Sequence, residues 1–483
     1  MSIYSSSNPT DWGQLDGIYI DETSPPPSVT GVPANTAILV GQFERGTPGL
    51  QQVGSVGQLY QLYGNNLNFS GNVALQNKKF GLLKVLRVVD SAAVNATLGF
   101  NHSTTTQVTF TALWSGAYGN GITVKIAAGT TQGSKYTIHD GNPGAVWPDE
   151  VYDNVLVTMS TAALNAIFGN SNLITMTVNS SAHEPDTCSA TALATGSDGT
   201  VADTHYQTAI ALSQIQGAGN ILFLDANNAT RNGYLKVSMA ATTDKMAVMC
   251  GVAGDSVSTA VSAVASLRDT DGRLIYSFPY VYTSIAGIST KVNPCSFYAS
   301  LLSQIAPNID PAYAANSQYL AGIDAIELSL QRSDYISLDA AGISAFENDS
   351  DIGIKVKSGV TTQIVDSSKV MIFRRRMADY LNQSIAKFLK AFQNGPNSGD
   401  KRADVKAGIT AFNRRLELAG MVPKDSEVLG GKASIIDVNS LNTDDSIANG
   451  YFYALYKRRI YSSMRYIVLQ TEIGESVVVT EQS

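Results

Sequence analysis

Charged side chains are scarce in this 483-residue chain, at 15% of residues, where a globular domain usually carries about a quarter. So little like charge does little to keep copies apart, which favours self-association. Cysteine is scarcer still. Cys188, Cys250 and Cys295 lie far apart and form no CxxC pair, so a disulfide framework is excluded and a reducing compartment of synthesis is expected. No run of eighteen apolar residues occurs, and the opening MSIYSSSNPTDWG has no basic stretch followed by an apolar one. The expectation is a soluble protein without membrane insertion.

The usual signatures of chemistry are missing as well. No GxxxxGK[ST], GxGxxG or HExxH occurs, so any βαβ region lacks the backbone cradle that nucleotide folds use. Gly254-Asp255-Ser256 is similar to the nucleophile block of some esterases, but a serine hydrolase of that order needs a later His, and the last one here is His205. His183, Cys188 and His205 could approach one metal, yet their spacing fits no standard zinc pattern. Asp349 and Asp351 read as a solvated turn rather than a calcium loop. No catalytic residue, cofactor or metal is expected.

What is present divides the chain into four segments. Residues 1–95 open with GQLDGIYIDE, a strand over residues 17–22 (Gly17, Ile18, Tyr19, Ile20, Asp21, Glu22), followed by Pro25, Pro26 and Pro27, which impose an extended arm without backbone donors. TAILVG and LLKVLRVV then read as strands on either side of the helix VGSVGQLYQLYG, the first part of an α/β core. Residues 96–205 contain nineteen Thr, all four His, and only Lys125 and Lys135 as bases. Their short alternating runs between Gly, Asn and Pro predict a β-rich domain inserted outward, its two ends close together and the whole dispensable for the body's fold. Residues 206–365 alternate helix with apolar strands (GNILFLDA, KMAVMCGV, RLIYSFPYVY), the pattern of βαβ units on a mainly parallel sheet. Residues 366–483 form an α+β domain in which YFYALYKRRIYSSMRYIVLQTEI reads as a long strand and SVVVTE as a terminal one (Val477, Val478, Val479, Thr480).

The last domain opens with a helical hairpin. Met377, Leu381, Ile385, Phe388 and Phe392 recur at helical spacing, and Asn394-Gly395-Pro396 stops the helix. Arg376, Gln383, Lys387 and Lys390 fall within about a sixth of a turn on the opposite side. Val405, Ile409, Phe412 and Leu416 line a second helix that ends at Gly420. Residues 369–420 hold eleven Lys or Arg against four acids, in a chain whose net charge is −7. An acidic remainder argues against direct contact with nucleic acid.

In order, GIYIDE, TAILVGQFERGTPG, the strand FGLLKVLRV ending in Arg87, WSGAYGNGITVKI, LDAAGISAF, GIKVKSGVTTQ and FRRRMADYLNQSI resemble the sheath protein of contractile bacteriophage tails over nearly the whole chain. The chain departs from the family's pattern at Leu338-Asp339, where Leu-Asn is usual, and in having Pro294 alone before Cys295. The resemblance implies a central subtilisin-like βαβ domain and a structural role in the virion. Copies would stack as hexameric rings around an inner tail tube, with baseplate and tail terminator proteins at the ends, and contract to drive the tube through the host envelope. It implies synthesis in the host bacterial cytoplasm. It further implies that Arg376, Lys387 and Lys390 face the tube, and that the strands at residues 17–22 and 477–480 pair with neighbouring copies. A serine hydrolase and a surface- or carbohydrate-binding protein are the competing readings.

Overall fold

The computed structural model describes residues 29–216, 220–366 and 368–465, with the backbone of two short strands, Ile3–Ser5 and Ile18–Ile20. The chain separates into two compact units, residues 31–383 and residues 1–30 with 384–483. The larger is mixed α/β. Its eight-stranded sheet runs Gly353–Val356, Ile343–Asp349, Leu274–Phe278, Met246–Met249, Ile221–Leu224, Thr36–Gly41, Leu82–Arg87, Gln51–Val53. The six inner strands are parallel, and the two at the edges antiparallel.

Both faces are covered, which is why TAILVG, ILFL and MAVM are apolar without alternation and buried throughout. Ala37 and Leu39 join the core under the helices Val56–Tyr63 and Pro294–Gln304. Ile38 and Val40 join the opposite core, with Tyr206, Leu235, Val264 and Leu338 from four further helices. Helix ends follow local chemistry: Ser55, Asn228 and Ser256 accept the hydrogen bond of a backbone N–H in the first turn, and Gly64 closes the first helix at φ +82°.

Two features of this unit differ from the sequence expectation. RLIYSFPYVY is two strands, not one. Pro279 has no donor for a ladder, so the chain leaves the large sheet after Leu274–Phe278 and starts Val281–Ile285 in a separate three-stranded sheet. The helix Pro294–Gln304 has no counterpart in the sequence expectation, because Pro294 through Ser303 are all buried, and its polar stripe of Ser296, Ser300 and Ser303 is turned inward, the hydroxyls donating to backbone carbonyls. Its one sequence signal is Asn293-Pro294, cap and first-turn residue.

A lysine sits in this core without an acid. Lys78 is buried, lies 3.8 Å from the centroid of Phe297, donates to the Gln76 carbonyl, and is pushed by burial to a pKa of about 7. The folded pKa lies below the ordinary 10.5, so the unfolded chain binds more protons between those values. Stability contributed here rises with pH from about 7 to 10.5, and the penalty is complete below 7. Lys78→Met is expected to stabilise the protein by about 1–3 kcal/mol at pH 7 and to flatten that rise, measured by urea titration at pH 7 and pH 10.

The insertion is a pair of packed sheets around its own core of Phe100, Phe110, Tyr136 and Phe168. One sheet is Glu150–Val155, Ser134–Asp140, Ile122–Ala128, Cys188–Ala192, and the other Ile174–Val178, Thr105–Ser115, Asn95–His102. Its entry and exit strands touch, Val94 and Ser197 exchanging backbone hydrogen bonds of 2.9 and 3.0 Å. The insertion is nevertheless fastened to the body by two buried guanidiniums in and beneath the QFERGTPG loop. Arg87 donates to the carbonyls of Phe43, Glu44 and Gly46 and, across the junction, to that of Ser115 at 2.9 Å. Burial holds it down at a pKa of about 10. Arg45 donates to the Tyr60 carbonyl at 2.7 Å, lies over the Tyr118 ring and pairs with Asp140 at 3.4 Å, both partners of that pair being essentially solvent-free. Because these guanidiniums would lose their partners with the insertion, its removal is expected to destabilise the body.

In the smaller unit the hairpin is as the periodicity predicts. The helix Ile372–Leu389, whose first turns belong to the larger unit, is followed by Gly399–Leu418, capped by Ser398. Gly408 admits Phe388: a Cβ there would stand 2.4 Å from the ring. The division between units falls inside the first helix, not at residue 366, because Met377 and Asp379 are already buried in the larger unit and Asp379 pairs with Arg273 at 2.9 Å. Beyond the hairpin Ser434–Asp437 and Leu455–Arg458 make a two-stranded antiparallel sheet. It is held to the second helix by Tyr456 donating to Asn413 and by Arg458 with Glu417, each at 2.8 Å. The long strand predicted over 451–473 is thus four residues among those described.

Candidate assembly surface

The three basic residues proposed to share a face do not share an environment. Lys387 and Lys390 are exposed. Arg376 stands at the same helical angle but is 6% exposed, and its Nη2 donates to the carbonyls of Leu302 at 2.7 Å and Ile305 at 3.1 Å. It neutralises the carbonyl end of the helix Pro294–Gln304, and burial lowers its pKa to about 10. Arg376 is therefore enclosed by the larger unit and not presented on a surface. Angle alone placed it outward; the body of the larger unit surrounds the first turns of this helix on that side as well.

The exposed charge of the smaller unit remains one-sided. Residues 384–465 carry thirteen Lys and Arg against eight Asp and Glu. Apolar side chains are also left in solvent there: Leu429 is 99% exposed and Leu418 72%, and the exposed rings of Tyr451 and Tyr453 stack at 6.2 Å. Ile435 lies on a strand that, among the described residues, is paired along one edge only. Cationic and apolar groups left in solvent, on a unit that also has a strand paired along one edge only among the described residues, are the makings of an interface rather than of a solvated face.

Of the strand residues named from the sequence, Ile18, Tyr19 and Ile20 form Ile18–Ile20, parallel to Ile3–Ser5 in a two-stranded sheet. Gly17, Asp21, Glu22 and Val477, Val478, Val479, Thr480 lie outside the described residues.

The hydrolase and metal readings find no constellation among the described residues. Ser256 is the cap of Val257–Leu267, its hydroxyl accepting from the Thr259 N–H and bonded to Ser258 and Thr259. None of the histidines is near it: His102 and His139 face Asp186 and Asp149, His183 stacks on His102, and His205 lies 3.4 Å from Asp90. Cys250 and Cys295 are buried together, and desolvation drives the Cys250 thiol up, which suppresses the thiolate a nucleophile needs. Among the described residues no group of three or more His, Cys, Asp or Glu could hold a metal, and no helix is long and apolar enough to cross a membrane.

Comparison with solved structures identifies the fold. The chain matches a sheath tail protein of Desulfitobacterium hafniense with a TM-score of 0.62 at 16% identity, covering 92% of this chain and 100% of that one. It matches a sheath tail protein of Listeria innocua with a TM-score of 0.64 at 13% identity, over 90% and 95% of the two chains. The helical sheath of the anti-feeding prophage in its contracted state is similar at a TM-score of 0.60 and 15% identity, over 95% and 99%. No protein-family model and no curated protein matches the sequence. The fold of this chain is that of contractile tail sheath proteins.

Proposed function

We propose that the protein is the structural sheath subunit of a contractile phage tail or phage-tail-like particle, without enzymatic activity. Copies polymerise as stacked hexameric rings around an inner tube, bounded by a baseplate and a terminator, and contract to drive the tube through a target envelope during genome delivery. On this reading the eight-stranded sheet corresponds to the family's subtilisin-like core. The observation that carries the proposal is the likeness to sheath proteins along 90% or more of the chain. The protein would reside in the particle after synthesis in the bacterial cytoplasm. Negative-stain microscopy of the purified protein tests it: hollow sleeves or rods are expected, and dispersed particles at every concentration and salt would sink it.

The tube-facing role passes to Lys387 and Lys390, the exposed pair at the end of the first hairpin helix. A single exposed ion pair contributes only about 0.2–1 kcal/mol, but a helical stack repeats it at every subunit. Changing both to Glu is expected to leave thermal unfolding within about 0.5 kcal/mol of the parent and to abolish sheathed tubes. Ordinary sheathed tails from the double variant would remove these lysines from the interface.

A further inference from the structure

A cleft of about 630 Å³ opens in the larger unit where the body meets the insertion. The body contributes Asn65, Asn68 and Phe69 from the loop after Val56–Tyr63; the insertion contributes Tyr118 and Asn142. Glu44 and Asp198 supply its carboxylates. These groups are held before any ligand arrives. Glu44 accepts from the Asn65 N–H at 3.2 Å and Asp198 from the Ala117 N–H at 3.1 Å, while the Asn142 side chain donates to the Tyr118 carbonyl at 3.0 Å. The buried guanidiniums of Arg45 and Arg87 fix the junction around them. A site ordered in advance loses little entropy on binding.

Its chemistry is selective. No Lys or Arg lines the cleft, which excludes phosphate, sulfate and nucleic acid as preferred ligands. Four carboxamides and two carboxylates share the lining with Phe69, Tyr118 and Pro143, a mixed surface that suits a ligand with both polar and C–H faces better than a bare acyl chain. Two carboxylates alone would also take an amine, but the four carboxamides among the lining residues favour a neutral, hydroxyl-rich molecule. Carboxylates accept from hydroxyls, the Asn65 and Asn68 carboxamides can both donate and accept, the Asn142 carboxamide, its N–H groups engaged by Tyr118 and Asp140, can accept, and the rings of Tyr118 and Phe69 offer apolar faces to the C–H side of a sugar. The volume lies within the roughly 300–1,000 Å³ of ligand clefts. We propose that this cleft is a binding site for a neutral oligosaccharide of hexose or N-acetylhexosamine units.

Saturation-transfer NMR on the full-length protein with neutral di- to tetrasaccharides of both sugar types tests this. At least one is expected to give signals. Asn65→Ala, which keeps the backbone bond to Glu44, is expected to weaken it about tenfold. Asn68→Trp, at an exposed position that fills the cleft, is expected to abolish it. Signals from none of the saccharides, undiminished binding by Asn68→Trp, or tighter binding of sulfated than of neutral sugars would each overturn the assignment.

Discussion

Asp140→Ala is expected to cost about 3–5 kcal/mol, because it leaves the Arg45 guanidinium charged and without its acid in a solvent-free junction. Asp140 also accepts from the Tyr118 hydroxyl and, at 2.9 Å, from the Asn142 side chain, so three groups lose a partner at once. Much of that cost belongs to the stranded charge rather than to the pair. The double variant Arg45→Met/Asp140→Ala should therefore recover a large part of it, and a double-mutant cycle in urea would measure the recovery. Replacing residues 96–205 by a Gly/Ser linker removes Asp140, Tyr118 and Ser115 together and is expected to yield little folded protein unless Arg45 and Arg87 are neutralised in the same chain. A linker variant with both arginines intact and parental unfolding free energy would show that the two guanidiniums do not hold the junction.

Deleting residues 1–24, or residues 475–483, is expected to give a folded subunit that does not polymerise. The first deletion removes both Ile3–Ser5 and Ile18–Ile20, which pair only with each other among the described residues. The buried clusters identified among the described residues are built elsewhere in the chain. Among the described residues each strand of that pair, like those of the Ser434–Asp437 and Leu455–Arg458 pair, is hydrogen-bonded along one edge only, and an open row of backbone donors and acceptors seeks another strand. On the proposed reading, the ends of one subunit add to sheets of its neighbours, so the lattice stays linked while rigid bodies slide and turn. A net gain of about 0.5–1.5 kcal/mol per backbone hydrogen bond makes a short ladder worth roughly a hundredfold in association constant at each end. Circular dichroism should report an unchanged fold and electron microscopy no sleeves. Sleeves of ordinary length from either truncated protein would remove that end from the assembly mechanism.

Much of the architecture was legible because it depends on neighbours in sequence. TAILVG, ILFL and MAVM announce strands buried on both faces by being apolar without alternation. The hairpin announces itself by its 3.6-residue period and by the stop at Asn394-Gly395-Pro396. The insertion stands out by composition, nineteen Thr and almost no basic residues. The absence of a His after Ser256 was readable without any structure.

The environment of each charge was not legible, and that is where tertiary structure decided. Arg376 and Lys387 sit at nearly one angle of one helix, yet the first is enclosed with two helix-end carbonyls and the second is in water. Arg45, Arg87, Lys78 and Asp140 read as ordinary polar residues in the sequence and are buried in the fold. Period and propensity are properties of a segment and are written locally. Burial is set by elements that approach from far along the chain, such as Asp140 reaching Arg45 across 95 positions, and no local pattern records which side chain they will cover.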